Sequence, residues 1–254
     1  LSRVTSLALA AALVLSLAAC GGDTSQTSTT PADSSAPAQT GTVATDAAIA
    51  VGSTAPQFLG HFDASQYFST ECSTAATYLL YDQLFSIGSD GVWYSDILSD
   101  YYWSDEVENQ LVMTLKDNIY FSNGDQMTME DVLFSLQRFS QSTRGATNFT
   151  VVDFDASSIS EDGMTLYLQY TQPYGPWQSG LNQFIMNKDF VESLGDNADW
   201  YSAESVCGSG PYEVTESVTD ISITFEKRDD WWMADEAGDS ASVQQLTCYA
   251  YSDN

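Results

Sequence analysis

The stretch from Leu111 to Arg138 constrains the fold most tightly, because it joins a strand, a tight bend and an amphipathic helix without a spacer. Leu111, Met113 and Leu115 alternate with Val112, Thr114 and Lys116, the period-two pattern of a strand with one face inward. Asn123-Gly124 then supplies the residues that a sharp reversal requires. Thr128-Met129-Glu130-Asp131 follows, a hydroxyl N-cap with a carboxylate three residues on. Two acids in that first turn also suit the positive end of the helix dipole. Val132, Leu133, Leu136 and Phe139 recur on one face, so a helix is predicted over 128–140. Such a helix must bury its apolar face on a sheet, and a mixed α/β architecture is expected.

The rest of the body reads more coarsely. Ala48 to Val51 is an apolar run ending at Gly52, predicted as a buried first strand. Ala75, Ala76, Leu79, Leu80 and Leu84 stand at helical spacing, predicting a helix over 70–85. Asp90-Gly91 marks a turn. The segments 157–159 and 164–170 flank Glu161-Asp162-Gly163 and read as a hairpin. A helix-like stretch is predicted at 181–186 and a short helix at 189–194, a sharp turn at Gly208-Ser209-Gly210-Pro211-Tyr212, and strands around Ile221 to Phe225 and Leu246 to Tyr251. Strand spacing also puts Asp229 and Asp230 on opposite faces, so they do not form a catalytic pair beside Trp231-Trp232.

Ahead of the body, residues 1–20 look like an export address. Arg3 is the sole charge before Asp23, and Leu7 to Ala19 is almost entirely Leu, Ala and Val, too short for a stable membrane span. Leu17-Ala18-Ala19-Cys20-Gly21 resembles the bacterial lipobox, in which the cysteine takes a diacylglycerol and becomes the mature N-terminus. Residues 21–47 are Ser, Thr, Ala, Pro, Gly and Gln with almost no large apolar side chain, a composition expected of a flexible tether.

Charge excludes several functions. Lys+Arg is 7 against Asp+Glu 35, a formal charge of −28. Such a surface repels phosphate backbones and anionic lipid alike, so no nucleic-acid partner and no electrostatic membrane binding are expected. With one histidine and no CxxC, no metal site and no metal cofactor are expected. Cys72, Cys207 and Cys248 leave open one disulfide of any pairing or three buried thiols. There is no P-loop, no HExxH and no Ser-His-Asp arrangement, and no catalytic residue is assigned.

Four motifs in order resemble the family 5 extracellular solute-binding proteins, the peptide and nickel receptors of ABC importers. They are Tyr81-Asp82-Gln83-Leu84-Phe85 with Asp90-Gly91, the run 111–138, Gly208-Ser209-Gly210-Pro211-Tyr212, and Ile223 to Trp232. Within the second, Lys116, Ile119, Phe121, Asn123, Gly124, Thr128, Glu130, Asp131, Val132, Phe134, Ser135 and Arg138 fit the family pattern, with Met129 where alanine is usual. The tryptophan motif ahead of the strand is weak at 97–103. The resemblance spans 48–254 and implies a type II periplasmic-binding-protein fold of two lobes, of which this chain would carry the leading part. It implies a lipoprotein held on the outer face of the cytoplasmic membrane that captures an oligopeptide or dipeptide and hands it to an ABC permease.

Those motifs are structural within the family, so ligand contacts are assigned by position. The loop after the first strand contributes Thr54, Pro56, His61 and Phe62. Asn148, Phe149, Tyr174 and Trp177 contribute from the loops after the capped helix. Arg138, in the last turn of that helix, is expected to pair with an acid or a helix-end carbonyl. Nickel chelates and oligosaccharides remain open as ligands. An extracytoplasmic sensor or adhesion lipoprotein, and a secreted carbohydrate-hydrolysing protein, remain as other functions.

Overall fold

The computed structural model describes residues 48–53, 61–66, 77–142, 145–237 and 243–250. In chain order its elements are β1 (Ala48–Ser53), β2 (Ser86–Ile87), β3 (Trp93–Tyr94), β4 (Leu98–Trp103), β5 (Gln110–Leu115), α1 (Met129–Ser140), β6 (Val152–Ile159), β7 (Thr165–Tyr170), α2 (Trp177–Gly180), α3 (Lys188–Leu194), β8 (Tyr212–Val218), β9 (Ser222–Lys227), α4 (Ala234–Ala237) and β10 (Gln245–Ala250). They build two four-stranded sheets and a short ribbon. The first sheet runs β1-β10-β9-β8, with β1 parallel to β10 and the other pairs antiparallel. The second runs β4-β5-β7-β6, antiparallel throughout. β2 and β3 form the ribbon.

Each sheet has its own core. The second sheet buries Leu111, Met113 and Leu115 from β5 and Leu166, Leu168 and Tyr170 from β7 against Val132, Leu136 and Phe139 of α1. Burial of each such side chain contributes about 1.5–3 kcal/mol. The first sheet buries Tyr212, Ile223, Phe225 and Cys248 with Phe62, Leu80, Tyr81, Phe184 and Trp231.

Helix α1 begins as its sequence predicts. Asp131 Oδ2 accepts from the Thr128 N–H at 2.8 Å and from Thr128 Oγ1 at 3.0 Å. Its other oxygen accepts from the Lys188 N–H at 2.8 Å, so one buried carboxylate starts α1 and ties it to α3. The bend before it closes with Gly124 in the left-handed region, φ 87°, and its N–H on the Phe121 carbonyl.

Several expectations are corrected. Helix in the described part of 70–85 ends at Leu80, and residues 81–85 are irregular, with an isolated bridge at Gln83 and a bend at 84–85. The Leu84 N–H donates to the Gln183 carbonyl and the Ile185 N–H to that of Asp82, so tertiary pairing replaces the next helical turn. The same pairing makes 181–186 irregular rather than helical. β1 exists, but Ile49 is 47% exposed, and among the described residues the strand stands at the edge of its sheet. Asp229 and Asp230 lie in a turn beyond β9, not on the strand. Strands β4 and β8 had no sequence assignment; their exposed residues are mostly polar, with Tyr102 and Val218 as the apolar exceptions.

Candidate functional site

Six of the eight candidate contact residues fall in the described part; Thr54 and Pro56 lie outside it, as do Cys20 and Cys72. The six are strung along the C-terminal end of α1. Arg138 donates from Nη2 to Asp63 Oδ2 at 2.7 Å, and the adjacent Phe139 ring packs edge-on against Phe149 with centroids 6.2 Å apart. A Cβ on Gly180 would meet the Asn148 carbonyl at 3.5 Å and the Tyr174 ring at 3.7 Å, so the loop after α1 and the Pro-flanked stretch touch there.

At one end of this string stands a closed polar cluster. Asp63, 1% exposed, accepts from Arg138 and from the Ser65 N–H at 3.0 Å and Ser65 Oγ at 2.6 Å. The Arg138 guanidinium also lies over Trp200, 5.4 Å from the ring centroid. The Phe62 N–H donates to the Trp200 carbonyl at 2.8 Å, and Tyr81 Oη donates to the Phe62 carbonyl at 3.0 Å. His61 is half-buried with its ring edge-on to Tyr201 at 5.2 Å. Burial pushes the His61 pKa down, while the Asp63 carboxylate acts in the opposite sense. Phe62, 2% exposed, and Phe149, 6%, are interior rings whose bulk positions their neighbours.

A second polar node sits where the chain crosses between the two cores. Trp232 Nε1 donates to Asp82 Oδ2 at 2.9 Å, and Lys116 Nζ stands 5.4 Å from the Trp232 ring. Burial pushes the Asp82 carboxyl up to about 6 against the hydrogen bonds from Trp232 and Ser209 that favour its charge. The buried Arg228 donates to the carbonyls of Gly208 and Gly210, both at 3.2 Å, and to Asp230 Oδ1 at 3.1 Å. Gly208 is required by close passage: a Cβ there would lie 1.8 Å from the Leu80 carbonyl oxygen. Nearby Cys207 is a buried thiol, its pKa raised by burial. Arg228 thus holds backbone through Nη1 and Asp230 through Nε, while its Nη2 is buried without a hydrogen-bond partner among the described residues.

At the other end of the string is a groove of about 390 Å³ lined by Trp103, Ser104, Asn109, Pro173, Tyr174, Gly175 and Trp177. Tyr174 and Trp177 were sequence candidates; Trp103 and Asn109 were not, since they follow from the β4–β5 register alone. Asn109 has φ 58°, a conformation that asparagine tolerates. Its carbonyl accepts from the Tyr170 N–H at 2.9 Å. Among the described residues no group of acids, histidines and cysteines could hold a metal, and no helix is long and apolar enough to cross a membrane.

The model of the bacterial extracellular solute-binding proteins, family 5 Middle, matches residues 93–254. A dipeptide-binding protein of Bacillus subtilis, DppE, is 26% identical over 153 residues, covering 52% of this chain and 28% of that protein. A probable D,D-dipeptide-binding periplasmic protein of Escherichia coli, DdpA, is 28% identical over 145 residues, covering 54% of this chain and 28% of that protein. The fold superposes on Haemophilus influenzae OppA, solved with the peptide RPPGFSPFR, with TM-score 0.66 and 19% identity, over 82% of this chain and 43% of that one. Campylobacter jejuni NikZ, solved with Ni(L-His), gives TM-score 0.59 and 14% identity, over 82% of this chain and 39% of that one. The chain thus spans less than half the length of these relatives.

Proposed function

This chain belongs to the family 5 bacterial extracellular solute-binding proteins, and on that premise we propose that it forms part of the substrate-binding component of an ABC importer, with peptides as its cargo. The observation that carries this reading is the shared architecture: both sheets, with α1 laid over the second, match 43% of a receptor solved with a peptide in place. Two relatives named for dipeptide binding support the same cargo class. The relatives are binding proteins rather than enzymes, and the polar clusters here hold backbone segments together through Asp63, Arg138 and Arg228.

We assign Thr54, Pro56 and His61 to the peptide-facing wall, with Phe62 behind them as packing. Asn148, Phe149, Tyr174 and Trp177 belong to the far side of the same C-terminal turn of α1, where Phe139 packs on Phe149. Capture would follow the usual logic of two-lobed receptors, in which a hinge closes over a ligand that binds the closed state better. Residues 1–20 would direct export and lipidation of Cys20, and 21–47 would tether the body to the outer face of the membrane, where the permease waits.

Thermal-shift titration tests the cargo. A ligand that binds only the folded state stabilises it by about 2.7 kcal/mol at a hundredfold excess over Kd. Dipeptide and oligopeptide mixtures should raise the melting temperature, while nickel-histidine and a glycoside panel should not. A shift with glycosides together with their turnover would replace this reading with the hydrolase.

A further inference from the structure

We propose that the groove between Trp103, Tyr174 and Trp177 is a second ligand site, and that it takes an organic ammonium group, of the quaternary type carried by choline. This inference does not rest on the peptide reading, because the groove lies on the sheet of β4–β7 and not on the His61 wall.

Three observations select that chemistry. First, the walls are aromatic and fixed. Trp103 and Trp177 meet at 5.9 Å with planes at 86°, and Trp177 is held edge-on by Phe85 at 5.3 Å and Tyr101 at 6.0 Å. Tyr174 is stacked on Tyr170 with centroids 6.3 Å apart. Rings that present π-faces in a concave arrangement attract a cation through their quadrupoles.

Second, the rim is acidic. Ser104 and Asn109 line the groove, and the loop between them carries Asp105, Glu106 and Glu108, all exposed. Ser104 Oγ accepts from the N–H groups of Glu106 and Val107 at 3.2 and 3.1 Å, and the Glu108 carbonyl accepts from Gln169 Nε2 at 2.9 Å. The loop is therefore held in place with its carboxylates outward. Within a Debye length of about 10 Å these charges raise the local concentration of cations. Neither 90–115 nor 145–187, the segments that build the groove, contains a lysine or arginine.

Third, the size suits a compact head. About 390 Å³ is at the small end of ligand pockets, which run from about 300 to 1,000 Å³. A neutral sugar would use the rings and donate hydroxyl hydrogen bonds to the rim, but it carries no charge for the rim to attract. A metal ion would use the rim but not the rings.

The test is saturation-transfer NMR on the N-methyl protons of tetramethylammonium and of choline, with the whole chain. Saturable binding is expected for both. The neutral isostere 3,3-dimethylbutan-1-ol should bind at least about fivefold more weakly, the ratio that one ring–cation contact supplies. Tyr174→Leu should weaken the cations by a similar factor. Since a core-edge variant can disturb folding, the exposed triple variant Asp105→Asn, Glu106→Gln, Glu108→Gln serves as the second probe. It should keep its melting temperature and lose several-fold in cation affinity. Equal binding of the neutral isostere, unchanged affinity in the triple variant, or no saturable binding at millimolar cation would overturn the proposal. Co-sedimentation with phosphatidylcholine vesicles, but not with phosphatidylglycerol vesicles, would assign the site to a lipid headgroup; binding of choline without co-sedimentation would assign it to a free solute.

Discussion

Arg138 and Asp63 stand 75 residues apart in the chain, yet Nη2 of one lies 2.7 Å from Oδ2 of the other, with the Asp63 side chain fully buried. The pair clamps the C-terminal turn of α1 to the segment that carries His61. Loss of one partner leaves the other charge buried without its counterpart. Arg138→Ala is expected to cost about 3 kcal/mol, the low end for a buried pair because Arg138 keeps some solvent contact. Arg138→Lys should recover only part of this, having no planar fork to share between the two carboxylate oxygens. Urea denaturation of the two variants measures both.

Asp131 makes a sharper demand. Both its oxygens accept, from Thr128 on one side and the Lys188 N–H on the other. Asp131→Asn would aim an amide N–H at one of these donors. A loss of about 2 kcal/mol is expected, with hydrogen exchange rising first at the start of α1 and at α3. Exchange confined to one of the two helices would contradict the shared-carboxylate account.

At Gly208, the Cβ of an alanine would sit 1.8 Å from the Leu80 carbonyl oxygen. Backbone on both sides leaves little room to relax, so Gly208→Ala should cost about 3 kcal/mol or more. Soluble yield and melting temperature would show it. A variant as stable as the parent would mean that the two segments do not pass so closely.

Asp82 carries a pH signature. Its carboxyl is pushed up to about 6 from an ordinary 3.8 by burial. The folded state therefore holds this proton more tightly than the unfolded one, so the stabilisation is complete below pH 3.8 and is lost as pH rises through 6. After discounting for partial exposure, the contribution is about 1 kcal/mol. The difference in unfolding free energy between parent and Asp82→Asn should shift across pH 4–7 by that amount, in the direction that favours the parent at acid pH.

Cys20 is the expected lipid attachment point. In a bacterial host, the parent should partition into the detergent phase and Cys20→Ser into the aqueous phase. Partition of both into the aqueous phase would remove the anchor from the account.

Local rules carried much of this fold. The Thr128–Asp131 start of α1, the Asn123-Gly124 bend and the alternation in β7 are all short-range: each depends on the chemistry of residues within a few positions, and each stands in the structure as the sequence predicts, whereas β5 also buries Val112 and β9 begins after Ile221, which is exposed. Where the sequence misled, a distant partner had intervened. Residues 81–85 have helical spacing but pair with 183–185, and a hydrogen bond to another strand is worth no less than one to the next turn. Strands β4 and β8 were invisible because an exposed edge needs no apolar alternation.

The same division holds for the site. Sequence alone established the mixed α/β class, the acidic surface and the family, because periodicity, charge and ordered motifs are written in the linear chain. Only tertiary structure decided that Phe62 and Phe149 are interior while Tyr174 and Trp177 line a groove, that Arg138 answers Asp63, and that Trp103 joins Trp177. Those relations depend on sheet register and on which surfaces lose water, and neither is fixed until segments far apart in the chain have packed.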